Sequence, residues 1–423
     1  MSRSALERAV LVGIASRAVP RAVAEEHLDE LERLVDTAGG KVVARFVKER
    51  SAPDPATYVG KGAVEEIGQK AREKKASLVV FDDELTPGQA RNLEDRWAGE
   101  IRVLDRPGVI LDVFALHARS REARTQVELA QLQYLLPRLA GQYRHLSRLG
   151  GGIGARGPGE QKIEIDRRKI RTRIARLRED LGRIETARGV RRRGRRRQFQ
   201  AAIAGYTNAG KTTLFNRLTR QSAYTADRLF ATLDARVARA VSRDLPDTVF
   251  IDTVGFVRKL PPALVASFRS TLAEIREADL VLHAVDSSSP SAEEERRVAL
   301  EVLEELGVPP DRILTVWTKR DVSAGPRQEA GGVLVSALTG TGMDRLEDQV
   351  RRRARPRGRP LVLRIPYSDG RAIAAVHARL HVLEQEDLGD ALSMRVEGER
   401  RDVLAFREYL EEAPRARKAG AEN

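Results

Sequence analysis

Residues 199–213 read FQAAIAGYTNAGKTT, and the fold of this chain follows from that stretch. The apolar run 201–204 predicts a buried strand, and the apolar spacing after the glycine-containing loop is helical. A strand, a loop and a helix in this order are the setting that the phosphate-binding pattern G-x-x-x-x-G-K-[ST] requires. The pattern is filled by Gly205, Gly210, Lys211 and Thr212. The stretch therefore predicts a phosphate-binding loop (P-loop) in a doubly wound, mostly parallel α/β sheet.

Each residue type in this loop has a physical role. Glycines let the backbone turn so that successive N–H groups and a helix N-terminus converge on phosphate oxygens. Lys211 supplies positive charge for the outer phosphates, and the Thr212 hydroxyl is a ligand for Mg²⁺. An ordinary glycine turn before a helix is the alternative. The nucleotide contacts predicted here are Gly205, Tyr206, Thr207, Asn208, Ala209, Gly210, Lys211, Thr212 and Thr213.

Three further motifs follow, each at the end of a predicted strand. Asp252 and Gly255 form a D-x-x-G pattern, which places the carboxylate near Mg²⁺ and the glycine N–H near a γ-phosphate. Asp321 ends the segment TKRD and can accept hydrogen bonds from the guanine N1–H and amine, which adenine does not offer, so it selects GTP. The third motif, Ser336 and Ala337, ends a strand and can contact the base through backbone N–H groups. The predicted contacts from the three motifs are Asp252, Gly255, Thr318, Lys319, Asp321, Ser336 and Ala337.

Composition sets the class of protein. The chain has 423 residues, enough for about two to four domains, and its 41% hydrophobic content is that of a globular protein. There is no cysteine, which excludes disulfides and thiolate metal sites. No apolar run approaches the roughly eighteen residues of a membrane span, so we expect a cytoplasmic location. The net charge of +14 predicts a polyanionic partner. We expect a monomer.

Strands and helices alternate in the N-terminal third and predict a small α/β domain over residues 1–116. Residues 58–62, YVGKG, lie between a strand and a helix, where either a bound phosphate or a plain turn fits. Asp82, Asp83 and Glu84 end a strand, where parallel sheets place ligand groups. We favour ordinary solvated loop residues for these three acids.

Two heptad-spaced apolar series predict an antiparallel helical hairpin, the arm, over residues 117–190. Pro137 should kink its first helix. The tip is formed by residues 150–159, GGGIGARGPG, whose six glycines cannot form a packed core. Because arginines and lysines surround it, the tip suits contact with RNA phosphates through Gly151, Gly152, Arg156 and Gly157. A flexible turn with solvated charges is the alternative.

Arginine-rich runs separate the remaining parts. We predict a basic linker over residues 191–198, a GTPase domain over 199–350, a second linker over 351–359, and a small C-terminal α/β domain over 360–423.

The four motifs at 205–213, 252–255, 318–321 and 336–337 resemble those of translation-factor-type GTPases. The segments 124–132 (RTQVELAQL), 150–160 and 253–256 (TVGF) look like those of the HflX family, and the resemblance covers nearly the whole chain. It implies a Mg²⁺-dependent GTPase that binds GTP and GDP, associates with the large ribosomal subunit and its rRNA, and splits stalled or idle ribosomes. The arm would then point toward the peptidyl-transferase region. The resemblance also makes Thr232 the switch threonine that closes on the metal.

The implied metal ligands are Thr212, Thr232 and Asp252, and the implied catalytic residues are Lys211, Thr232 and Gly255. Two positions depart from the usual pattern. Thr318 stands where N-K-x-D has asparagine, which should weaken the pinning of the loop. Phe256 stands where many GTPases carry a water-orienting glutamine, so intrinsic hydrolysis should be slow until the ribosome supplies the missing group.

Asn208 occupies the loop position that helps to hold K⁺ in several related GTPases, although a residue tolerating a left-handed turn is an equal reading. Two other functions stay open at this point. One is an RNA-binding ribosome assembly or dormancy factor with GTP as a timer. The other is an RNA-remodelling ATPase that binds a second nucleotide at residues 58–62.

Overall fold

The computed structural model describes residues 6–139, 158–195, 198–222, 229–230, 234–242, 245, 248–259, 269–322, 331–354, 361–398 and 403–410. The chain forms two compact units, Met1–Leu346 and Glu347–Asn423. Within the described part of the chain, no helix is both long enough and apolar enough to cross a membrane.

The N-terminal part of the first unit is a four-stranded parallel sheet with helices between its strands. Its elements are β1 (Glu7–Ala15), α1 (Arg21–Thr37), β2 (Gly40–Glu49), α2 (Lys61–Glu73), β3 (Leu78–Phe81), α3 (Pro87–Arg96), β4 (Arg102–Asp105) and α4 (Arg106–His117). The strand order is β2-β1-β3-β4. Val10, Val79 and Phe81 are fully buried in its core together with Ile67 of α2. The predicted parallel α/β arrangement is confirmed.

Two helices of the arm follow, α5 (Arg121–Leu135) and α6 (Pro158–Arg195). Leu129 of α5 packs with Ile174 and Leu177 of α6, and these are positions of the two predicted heptad series. Arg173 donates to both carboxylate oxygens of Glu128, at 2.6 and 2.8 Å. The tip residues Gly151, Gly152, Arg156 and Gly157 lie outside the described residues.

Helix α6 continues into the basic run after the arm. The first five residues of the linker predicted over 191–198 are helical, as far as Arg195. The physical reason is that arginine has a high helix propensity, so a run of arginines extends a helix that is already formed.

The GTPase part has a six-stranded sheet in the order β10-β9-β8-β5-β7-β6. All neighbouring pairs are parallel except β6 with β7. Its strands are β5 (Phe199–Gly205), β6 (Arg236–Arg239), β7 (Thr248–Asp252), β8 (Leu280–Asp286), β9 (Ile313–Thr318) and β10 (Val333–Leu334). Its helices are α7 (Lys211–Thr219), α8 (Arg269–Glu277), α9 (Ala292–Glu305) and α10 (Met343–Ala354). The predicted doubly wound, mostly parallel sheet is confirmed.

The second unit has a three-stranded antiparallel sheet in the order β11-β13-β12. It contains β11 (Leu361–Pro366), α11 (Gly370–Arg379), β12 (His381–Asp387) and β13 (Ala391–Glu397). Leu363, Met394 and Val376 of α11 are fully buried in its core. Because α10 continues to Ala354, the first four residues of the linker expected at 351–359 are helical instead.

A buried ionic cluster joins the N-terminal sheet to the GTPase part. Arg106, at 0% exposure, donates from Nε to Asp82 Oδ1 at 3.1 Å and from Nη1 to Glu30 Oε1 at 3.2 Å. Lys259, which follows β7, pairs with Asp82 and with Asp83. Burial alone would raise the pKa of Asp82, but Arg106, His27 and Lys259 hold it well below its usual range.

The expectation of solvated loop residues at 82–84 is therefore wrong for Asp82, which is 3% exposed. Its partners come from α1, α4 and the segment after β7, so they are distant in sequence. No local pattern reports such a contact.

We expect Arg106→Ala to lower the free energy of unfolding by about 3–5 kcal/mol, because it leaves buried carboxylates without their central partner. Urea unfolding in a Trp317→Phe background measures this through Trp97, which is buried in the N-terminal core. The control is Arg102→Ala, which removes a surface ion pair with Glu7 and should cost less than about 1 kcal/mol. If the two variants lose the same free energy of unfolding, the buried cluster stabilises the protein no more than a surface ion pair does.

Candidate functional site

The P-loop connects the central strand β5 to helix α7. Gly205 ends β5 so close to β8 that a Cβ atom on it would lie 2.2 Å from the carbonyl oxygen of Ala284. Gly210 precedes α7 with φ +78°, in the left-handed region that glycine adopts without strain. The loop therefore depends on glycine at both ends.

Lys211 lies in the centre of the site, at 7% exposure. Its Nζ donates to the carbonyl oxygen of Tyr206 at 2.6 Å, and a Cβ atom on Gly255 would lie 2.8 Å from the same Nζ. Burial lowers the pKa of Lys211 to about 8, although Asp252 acts in the opposite direction. The structure thus brings the P-loop lysine and the D-x-x-G glycine together.

Phe256 extends the contact between the P-loop and the D-x-x-G segment. Its N–H donates to the carbonyl oxygen of Gly205 at 2.9 Å, and its carbonyl accepts from the Thr207 N–H at 2.7 Å. The phenyl side chain is 1% exposed. A buried hydrocarbon ring has no donor or acceptor for water, so this residue cannot orient a nucleophile.

The residues present fit Mg²⁺ bound together with phosphates. Thr212 Oγ1 donates to Asp252 Oδ2 at 2.9 Å, which pairs a hydroxyl with a carboxylate, two oxygen ligands that Mg²⁺ accepts. Thr207 Oγ1 is buried and has no partner within the described ranges. Mg²⁺ is usually bound by one or two protein oxygens together with the phosphates of a nucleotide, which matches the pair of Thr212 and Asp252. Among those ranges there is no group of three or more histidine, cysteine and acidic residues that could hold a metal. Thr232 lies outside the described residues.

The residues expected to bind the guanine base lie at the ends of β9 and β10. Thr318 Oγ1 reaches the carbonyl oxygens of Ala209, at 2.8 Å, and Val285, at 3.0 Å. This hydroxyl has one proton to donate where an asparagine amide has two, and it still contacts the P-loop. Ser336 Oγ donates to Asp321 Oδ1 at 2.6 Å. The carboxylate of Asp321 is thus oriented from the neighbouring loop.

The other predicted residues occupy positions around these contacts. Lys319 pairs with Asp286 at 2.8 Å, Thr213 lies in the first turn of α7, and Ala337 is half-buried after Ser336. Asn208 is exposed and has φ +62°, so the left-handed turn expected as its alternative role is present. In the N-terminal turn at 58–62, Arg50 Nη1 donates to the Val59 carbonyl oxygen at 2.8 Å.

The contact between the P-loop and the N-terminal part was missed from the sequence. The Tyr206 hydroxyl donates to Glu30 Oε2 at 2.6 Å and accepts from the Arg258 N–H at 2.8 Å. Burial and the Glu30 carboxylate raise the pKa of Tyr206, which keeps the hydroxyl protonated. The available signal was the tyrosine that follows Gly205 in the P-loop. Phosphate binding needs only the backbone of this residue, so a large side chain there indicates a different contact.

Comparison with known proteins agrees with this geometry. Family models match residues 25–115 (GTP-binding GTPase N-terminal), 117–195 (GTP-binding GTPase Middle Region) and 200–319 (50S ribosome-binding GTPase). GTPase HflX of Caldanaerobacter subterraneus subsp. tengcongensis is 42% identical over 395 residues, covering 92% of this chain and 91% of that protein. GTPase HflX of Escherichia coli strain K12 is 40% identical over 374 residues, covering 85% and 86%.

Among solved structures, a GTP-binding protein from Sulfolobus solfataricus in complex with GDP covers 82% of this chain and 99% of its own. Its sequence identity is 25% and its TM-score 0.43.

We expect the affinity for GTP to fall above about pH 8, by up to about tenfold per pH unit. The free protein loses the Lys211 proton as the pH rises through about 8, whereas phosphate charges keep that proton in the complex. Titration with a fluorescent GTP analogue at saturating Mg²⁺ measures the slope. In Lys211→Arg the guanidinium does not titrate in this range, so only the nucleotide's own titration should appear. Equal slopes in both proteins would rule the explanation out.

We expect Asp321→Asn to weaken GTP binding by at least about tenfold, since a hydrogen bond to a charged group contributes about 1.5–3 kcal/mol. The asparagine oxygen can accept from xanthine N1–H while its NH2 group donates to the xanthine C2 carbonyl, so xanthosine triphosphate should bind this variant better than it binds wild type. Competition titrations measure both affinities. Ser336→Ala removes the contact to Asp321 but keeps its carboxylate, so it should retain the preference for guanine. An unchanged preference in Asp321→Asn would refute the assignment.

Proposed function

The chain belongs to the HflX family of GTPases, and on that premise we propose that its GTP-bound form binds the large ribosomal subunit and splits stalled or idle ribosomes. The reaction is hydrolysis of GTP to GDP and phosphate. The observation that carries the proposal is the match of residues 200–319 to a model described as a 50S ribosome-binding GTPase.

The site geometry supports the nucleotide part of the proposal. Lys211, Gly255 and the pair formed by Thr212 and Asp252 meet at the carboxyl edge of the sheet, where they would contact the phosphates and Mg²⁺. Bound Mg²⁺ would stabilise the negative charge that develops on the phosphate oxygens during hydrolysis. We assign Thr232 as a third metal ligand and, with Lys211 and Gly255, as a catalytic residue.

The arm and the net charge support the ribosomal part. On α6, Arg168, Arg171, Arg176 and Arg178 are exposed, and the chain carries a net charge of +14. Arginine suits bidentate contacts to RNA phosphates. We propose that the arm, residues 117–190, provides the RNA contact with Gly151, Gly152, Arg156 and Gly157 at its tip. A ribosomal partner also places the protein in the cytoplasm.

We further propose that the ribosome stimulates hydrolysis. Phe256 is buried, and Arg258 and Lys259 after it contact Glu30 and Asp82 of the N-terminal part. These side chains are therefore engaged away from the phosphates, and we propose that the docked ribosome supplies the group that orients water. Asn208 would hold K⁺ beside the phosphates, a role that turnover rates in K⁺ and in Na⁺ would test.

We expect the protein with a non-hydrolysable GTP analogue to dissociate purified ribosomes, seen as a fall in light scattering. Arg156→Glu should abolish this and leave nucleotide affinity unchanged, because it places a negative charge at a phosphate contact. Arg183→Glu makes the same charge change on α6, away from the tip, and serves as the control.

Lys211→Ala should lose nucleotide binding and splitting together. If the wild type binds large subunits without dissociating ribosomes, the assembly or dormancy function replaces splitting. If Arg183→Glu fails as completely as Arg156→Glu, the tip has no special role.

A further inference from the structure

We propose that Asp234 couples the nucleotide site to the first turn of the arm helix α5, so that the N-terminus of α5 responds to which nucleotide is bound. The proposal rests on the proposed function only in that a magnesium nucleotide occupies the edge formed by Thr212 and Asp252.

The Asp234 carboxylate accepts hydrogen bonds from the residues that begin helix α5 of the arm. Its Oδ2 accepts from the backbone N–H of Ser120 at 3.0 Å and of Arg119 at 3.3 Å, and its Oδ1 accepts from the Ser120 hydroxyl. Ser120 is the N-cap of α5, and its Oγ accepts from the Ala123 N–H at 3.0 Å. A carboxylate at this position also interacts favourably with the helix dipole. A residue of the GTPase part therefore completes the cap of an arm helix.

The backbone after Asp234 connects it to the metal site through strand β6. Two residues further on, Arg236 is the register partner of Asp252 in the antiparallel pair of β6 and β7. Asp252 in turn accepts the hydrogen bond from Thr212. Asp234 precedes β6 by two residues, so it lies at most about 7 Å along the chain from that register pair. A shift of β6 at its first residues moves the carboxylate that holds Ser120.

Phe230, four residues before Asp234, makes a second contact with the region that precedes α5. The ring of Phe230 meets the ring of Phe114 edge to face, with centroids 4.7 Å apart. Phe230 is buried although its φ is +58°, a conformation that costs energy for a residue with a side chain. Phe114 lies in the last turn of α4, the helix that immediately precedes the connection to α5.

These two contacts hold the joint between α4 and α5 from the GTPase part. We therefore expect a change that nucleotide binding makes at Phe230 or Asp234 to alter the hydrogen bonds at Arg119 and Ser120. Coupling of this kind is reciprocal, so a ligand that fixes the arm also changes the relative affinities for GTP and GDP.

Hydrogen exchange at the amides of residues 119 and 120 tests the proposal in the full-length protein without ribosomes. With a non-hydrolysable GTP analogue and Mg²⁺, we expect exchange at these amides to be slower than with GDP by about fivefold or more. In Asp234→Ala the difference between the two nucleotides should disappear, while both nucleotides still bind in titrations of the same samples, with an affinity ratio that changes by no more than the factor lost in exchange.

The matched control is the double variant Asp234→Ala with Ser120→Asp. It restores a carboxylate cap to α5 but not the connection to β6. The first turn of α5 should then be protected equally in both nucleotide states. The proposal is overturned if the wild type shows no nucleotide dependence at these amides, or if either variant keeps it. A failure to split ribosomes would not affect this result, so the two proposals fail separately.

Discussion

The structure depends on neutralising two carboxylates that the fold buries, Glu30 and Asp82. A buried charge left without a partner costs several kcal/mol, so these groups require cations at short range. Arg106 comes from the N-terminal part, whereas Arg258 and Lys259 come from the segment after β7 of the GTPase part. This constraint fixes the D-x-x-G segment against the N-terminal sheet, which explains why both parts belong to one compact unit.

The same constraint has a consequence for catalysis. In many GTPases the residues after D-x-x-G orient the attacking water. In this chain Phe256 is buried, and Arg258 donates its backbone N–H to the hydroxyl of Tyr206. The segment serves as a contact between domains instead of as a water-binding element. This arrangement supports the proposal that the ribosome stimulates hydrolysis.

Local patterns were sufficient to predict much of the fold. The run 201–204 is apolar and bounded by a glycine, so its strand and the helix after Lys211 were predictable, as were the heptad contacts of Leu129 with Ile174. Strand β12, HVLEQED, could not be predicted from a local pattern, because five of its seven residues are polar and it lies at the edge of its sheet. The helical end of α6 was missed because a run of arginines also resembles a linker.

The sequence by itself determined the order of the nucleotide motifs, the type of base that they select and the family, because each of these depends on residues close together in the chain. Only the tertiary structure decided that Asp82 is buried, that Tyr206 bonds to Glu30, and that Asp234 caps an arm helix. The partners in these contacts are 24 to 177 residues apart in the chain. Their pairing follows from how the sheets and helices pack, and no periodicity in the sequence records it.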